Sequence, residues 1–151
     1  MRLLLVSLVF LLALLVVPLA HAGDIDVKPD SRIEVIYFTA PDCAYCRSWK
    51  LFTWKPFSDT PPAKHVTLIT VDKGGLRYKI GKSDYPKEYR HLYEQEPSLG
   101  NRVPAFWVLV DGKPIVSSIG ETSWGTTIEP AIIDLVTKKL AGGGTVSSLA
   151  P

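Results

Sequence analysis

The chain has two cysteines, Cys43 and Cys46, with only Ala44 and Tyr45 between them. A bridge this short closes almost no loop, so as a staple it would constrain the unfolded chain very little. The spacing suits a reversible dithiol–disulfide pair better. A β-branched run precedes the pair and a helix-like run follows it, which places Cys43 at a helix N-terminus. There, free backbone N–H groups and the positive end of the helix dipole favour the thiolate, the nucleophilic form. In such motifs the thiol pKa falls to roughly 3.5–7.5. Cys43 is therefore the expected attacking sulfur, and Cys46, one turn on, the resolving one. The carboxylate of Asp42 opposes the thiolate, and Arg47 and Lys50 offset it.

Other uses of two thiols fit less well. A zinc site takes about four ligands. Apart from His21 near the N-terminus, only His65 and His91 could join the cysteines, and His65 begins a strand that points elsewhere. Covalent haem attachment needs His directly after the second Cys, where this chain has Arg47. Two buried, inert thiols are the remaining alternative, and the strand–turn–helix setting speaks against it. No cofactor or metal is expected.

The elements that must hold the pair can be read in order. Ile33 to Phe38 reads as a buried strand, and Thr39 to Asp42 as a turn. A helix from Cys43 should carry Trp49, Leu51 and Phe52 inward and end near Pro56. His65 to Val71 reads as a second strand, and Asp72 to Lys82 as a Gly- and Lys-rich surface excursion. Ser83 or Asp84 can cap a helix running to about Gln95, with Pro86 in its first turn. Ala105 to Val110 and Ile115 to Ile119 form a hairpin around the turn signal Asp111-Gly112. Thr126 to Glu129 fits a capping box. The last helix then repeats Ile128, Ile132, Leu135, Val136 and Leu140 at helical spacing. The fold class is α/β: a central mixed sheet of about four strands flanked by helices.

The N-terminus reads as an address. Arg2 precedes an apolar run from Leu3 to Val17, then Pro18 and the small-x-small triplet Ala20-His21-Ala22. This describes a secretory signal peptide over 1–22, cut after Ala22. The alternative, a retained anchor, is disfavoured because the run is shorter than the roughly 20 residues of a spanning helix. Residues 23–31 are then a leader, 32–141 the domain, and 142–151 a disordered tail after Gly142-Gly-Gly144. Export would place the cysteines where disulfides persist. Across the 151 residues, 17 Lys and Arg oppose 15 Asp and Glu, too even a balance to suggest nucleic acid or a membrane surface as partner.

The segment Val35 to Cys46 resembles the strand and active-site helix of the thioredoxin family, in its exported, periplasmic branch. Arg102-Val103-Pro104 before an apolar strand resembles that family's cis-proline, and Pro104 to Gly112 followed by Gly120 keeps its hairpin spacing. The resemblance spans about Ile33 to Leu140. It implies a thioredoxin-like fold and a thiol–disulfide oxidoreductase, with Cys43 attacking, Cys46 resolving and Pro104 cis beside them. The backbone of Val103 would pair with an extended substrate peptide. Tyr45 would contact substrate, and Trp124 would either line the groove or sit in the core or rim.

There are departures from the family pattern. Where many thioredoxins hold a buried acid this chain has Tyr37, and where the partnering Lys often stands it has Leu68, leaving water or Glu34 to move protons at Cys46. Asp42 replaces a common Trp, and Asp72 to Leu99 is longer than in a minimal member, as a tolerated loop or a partner surface. Ala44-Tyr45 is similar to the dipeptides of exported isomerases and specialised reductases. Arg47-Ser-Trp49 is similar to small periplasmic thioredoxins serving sulfur oxidation. The implied partners are exported proteins with disulfides or thiols and a membrane electron donor, with the chain a monomer. A thiol oxidant, or a non-catalytic binding or assembly module on the same fold, remains open.

Overall fold

The computed structural model describes residues 24–147. The expected signal peptide over 1–22 lies outside them. Strands β1 (Asp24–Val27), β2 (Ile33–Thr39), β3 (Val66–Asp72), β4 (Ala105–Val110), β5 (Lys113–Ile119) and β6 (Gly144–Ser147) form two sheets. The larger has the order β3-β2-β4-β5, with β2 parallel to β3 and the other pairs antiparallel. The central strands β2 and β4 are the apolar runs IEVIYFT and AFWVLV, and both are buried almost throughout. Strands covered on both faces read as such continuous apolar runs. The sheet is the mixed four-stranded one anticipated from the sequence.

One face of the sheet, with Val35, Tyr37, Phe106 and Val108, is covered by helices α1 (Ala44–Trp49), α2 (Lys55–Ser58) and α3 (Glu129–Leu140). The first helical stretch departs from expectation. Trp49 is fully buried, but Leu51 and Phe52 are 57% and 77% exposed. A π-helical turn over Lys50–Trp54 joins α1 to α2 and inserts one residue into the helical repeat. The inward positions become Cys46, Trp49, Trp54 and Phe57, and the helical stretch passes Pro56 to end at Ser58. Before α3, a second π turn over Trp124–Ile128 replaces the expected capping box. The Glu129 carboxylate there accepts a hydrogen bond from the Trp124 indole at 3.1 Å.

The other face holds Ile36, Phe38, Ala105, Trp107 and Leu109, and residues 80–99 cover it. This corrects the reading of that stretch as loop or partner surface. Ile80, Tyr85, Tyr89, Leu92 and Leu99 are all buried against the sheet. The expected helix is instead two 3₁₀ segments, Lys82–Asp84 and Lys87–Glu94, separated where Pro86 adopts an extended backbone. Three residues per turn stack Tyr89 directly over Leu92, both toward the sheet.

The leader and tail also differ from expectation. β1 and β6 pair antiparallel, Asp24 opposite Ser147 and Val27 opposite Gly144, and Val27 and Val146 join the first core. Gly143 makes the turn into β6 with φ +121°, and a Cβ there would meet the Val27 carbonyl at 3.0 Å, so only glycine fits.

Candidate active site

β2 ends at Thr39, and the turn that follows closes with the Cys43 N–H donating to the Ala40 carbonyl at 3.1 Å. Cys43 caps α1 with an extended backbone, and its Sγ accepts the Cys46 N–H at 3.1 Å. A backbone donor aimed at this sulfur favours its anionic form. The two cysteines form a disulfide with S–S 2.08 Å and Cα atoms 5.2 Å apart. In this state Cys43 and Cys46 are only 2% and 1% exposed. Both cysteines are thus buried in the bridged state, a burial that the sequence reading had weighed only for inert thiols.

The peptide bond between Val103 and Pro104 is cis. It sets the Val103 carbonyl oxygen 3.8 Å from Cys43 Sγ, in contact with a sulfur that carries no proton in the bridge. Pro104 is buried and Val103 half-buried. The Pro104 carbonyl accepts the Gly120 N–H at 2.8 Å, which ties the end of β5 to the start of β4. Tyr45 projects outward at 70% exposure. Trp124, at 1%, lies in the core with its ring 5.0 Å from that of Trp49, so it does not line the groove.

Two polar groups near the pair emerge only in three dimensions. The Tyr37 hydroxyl donates to the Cys46 carbonyl at 2.9 Å, and burial pushes its phenol pKa up, keeping it a donor. Asp42 does not confront the sulfur with a free carboxylate: its Oδ1 accepts the Leu76 N–H at 2.8 Å. Glu34 is no proton carrier for Cys46. It lies on the opposite face of β2, where it accepts the Tyr89 hydroxyl at 2.8 Å. Strand alternation alone separates Glu34 from Tyr37 in this way. On the Cys46 side, a cleft of about 240 Å³ runs past Tyr37, Thr39, Lys50 and Asp72. Among the described residues no group of three or more His, Cys, Asp and Glu side chains is assembled for a metal ion.

A strand–helix–strand unit followed by an antiparallel hairpin, with a Cys pair at the first strand–helix junction facing a cis-proline before β4, decides the architecture. The fold is thioredoxin-like. No protein-family model and no curated protein matches the chain. Among solved structures, the thioredoxin Mala s 13 of Malassezia sympodialis is similar at 19% identity and TM-score 0.49, over 70% of this chain and 78% of that one. The oxidised thioredoxin of Plasmodium falciparum is similar at 18% identity and TM-score 0.46, over 67% and 82%. The periplasmic thioredoxin SoxS of Paracoccus pantotrophus, in reduced form, is similar at 12% identity and TM-score 0.43, over 70% and 96%. A Cys-x-x-Cys pair on a thioredoxin-like fold supports thiol–disulfide oxidoreductase chemistry in general. Among the described residues no helix is long and apolar enough to cross a membrane.

Proposed function

We propose that the chain is an exported thiol:disulfide oxidoreductase that reduces or isomerises disulfides of exported proteins. The observation that carries this reading is the placement of Cys43: it caps α1, the Cys46 N–H points at its sulfur, and the backbone of Val103 lies against it. In the reduced protein the Cys43 thiolate attacks one sulfur of a substrate disulfide. A Cys43–substrate bond forms and the other substrate sulfur leaves as thiolate. The Cys46 thiolate then attacks Cys43 Sγ, releasing the second substrate thiolate and closing the Cys43–Cys46 bridge. Two electrons have passed to the substrate, and an external dithiol donor at the membrane restores the pair. The Val103 backbone and Tyr45 contact the substrate chain. Export rests on the pattern of Arg2, the apolar run and Ala20-His21-Ala22. The working unit is a monomer.

Insulin reduction by the protein beside Cys43→Ser tests the chemistry: the variant should lose the activity, and equal rates would refute the reading. A reduction potential near about −270 mV fits the reductant, whereas one near about −120 mV would reverse the direction to thiol oxidation.

A further inference from the structure

We infer that residues 74–78 form a built wall beside the attacking sulfur, whose cleft takes the acidic flank of a polypeptide substrate. The inference rests on the proposed exchange chemistry and names the substrate class it serves. The wall is fixed from below. Lys73 is 5% exposed, and its ammonium donates to the Leu76 carbonyl at 3.2 Å and the Asn101 carbonyl at 2.7 Å. The Leu76 N–H is bound by Asp42, the residue before Cys43. The Tyr78 N–H closes a turn on the Gly75 carbonyl at 3.1 Å, and the Tyr78 ring packs over Gly75, where a Cβ would meet it at 3.2 Å.

The upper surface is open. Leu76 and Tyr78 are 49% and 51% exposed, unusual for large apolar side chains on so well-held a loop. Between them and Pro41–Asp42 lies a cleft of about 580 Å³. The Arg77 guanidinium sits 5.0 Å from the Tyr78 ring centroid and donates to its hydroxyl at 3.0 Å, on one side of the cleft. Arg47, which lines the neighbouring cleft on the Cys46 side, donates to the Pro41 carbonyl at 3.0 Å. Arg102, exposed, immediately precedes Val103. The nearby carboxylates, Asp42 and Asp72, are each already bound to a backbone N–H of this loop. The cleft therefore joins the Arg77 guanidinium and an apolar wall within one residue of Cys43, with Arg47 bound to its Pro41 rim and the Asp42 carboxylate turned to the Leu76 N–H. Its complement is an extended segment with Asp or Glu beside the target cysteine and an apolar residue next to it. Cationic surfaces of this kind set partner choice and encounter rate.

The test uses short fluorescein-labelled peptides that differ only in Asp or Lys at the positions flanking a central residue, Ser for binding and a disulfide-linked Cys for reduction. By fluorescence polarisation the acidic peptide should bind at least about tenfold tighter at low salt, with the ratio collapsing near about 0.5 M salt. Arg77→Glu should abolish or invert the ratio, while Lys113→Glu, on the distant hairpin turn, should keep it. Reduction rates of the Cys peptides should follow the same ratio. Equal binding of the two peptides, or a preference that survives Arg77→Glu, overturns the inference even if both are reduced. A preference for the acidic peptide without reduction of either would leave the cleft standing and overturn the exchange chemistry.

Discussion

Tyr37 and Glu34 share β2 but look to opposite sides of it, and each is answered by a hydroxyl bond: Tyr37 to the Cys46 carbonyl, Glu34 from Tyr89. The second bond has a measurable consequence. Burial, followed by the bond to the Glu34 carboxylate, pushes the Tyr89 phenol up to about 12, and burial raises Tyr85 as well. An unfolded tyrosine titrates near about 10. As pH rises, the unfolded chain therefore loses these protons first. Their contribution to stability is complete below pH ~10 and is lost from there upward, at about 1.4 kcal/mol per pH unit for each group. Urea midpoints measured from pH 8 to 11 should fall steeply above 10, and Tyr89→Phe should make that fall shallower. Equal slopes in the two proteins would contradict the assignment. That Glu34 serves Tyr89 and not Cys46 was half-legible in the sequence. The period of two excludes Glu34 from the Cys46 face, but nothing local links it to a tyrosine 55 positions away.

At the scale of elements, signals confined to a few residues were readable and those set by packing were not. Asp111-Gly112 marks its hairpin turn because both residues take positive φ, 51° and 77°, as a two-residue turn of this kind requires. The helix after Cys46 was misjudged: at about 100° per residue Leu51 already lies opposite the buried Trp49, and Phe52 falls to the side of the Cys46–Trp49 face. The residue inserted by the π turn brings Trp54 round to this face, so that Trp49, Trp54 and Phe57 all meet Trp124. The hairpin turn also ties itself to the start of β2, which its sequence does not announce. Asp111 accepts the Arg32 N–H and the Ser31 hydroxyl, each at 2.8 Å, and its own N–H binds the Arg32 carbonyl at 2.9 Å. Burial would raise the carboxyl pKa, but these two bonds and the charges of Arg32 and Lys139 outweigh it and hold the carboxyl below its ordinary range. A depressed carboxyl stabilises the fold fully above the ordinary carboxylate pKa, and that contribution is lost as pH falls from there through the lower folded-state pKa. Asp111→Asn keeps the turn but loses one charged acceptor. It should cost about 1 kcal/mol at pH 7, modest because the turn is exposed. Thermal melts at pH 7 and 3 should show the gap between the two proteins closing in acid.

At the scale of the whole molecule, the mixed sheet of about four strands, the Cys pair and the proline before β4 follow from consecutive motifs, so they could be read. The pairing of the chain's two ends could not. Its signal is a few apolar residues, Ile25, Val27 and Val146, set among polar ones more than a hundred positions apart. Yet this strap closes the first core at the end of the sheet away from the cysteines. Val27 is fully buried and Val146 is 7% exposed. The strap also borders a groove of about 510 Å³ against Ile115, Val116 and α3. Ending the chain after Ala141 removes β6, strips Val27 of its strand partner and opens Ile25 and the flank of Leu135 to water. Burial of one valine-sized side chain contributes about 1.5–3 kcal/mol. The truncation should therefore cost roughly 2–4 kcal/mol, read as a lower urea midpoint. A domain whose total stability is about 5–15 kcal/mol survives that loss. Because the Cys43–Cys46 junction and the Val103–Pro104 turn lie at the opposite edge, reduction of a small neutral disulfide such as hydroxyethyl disulfide should proceed at the full-length rate below the melting range. An unchanged midpoint would show that the strap adds nothing to the core, and a slower rate at unchanged stability would place it within reach of the sulfurs.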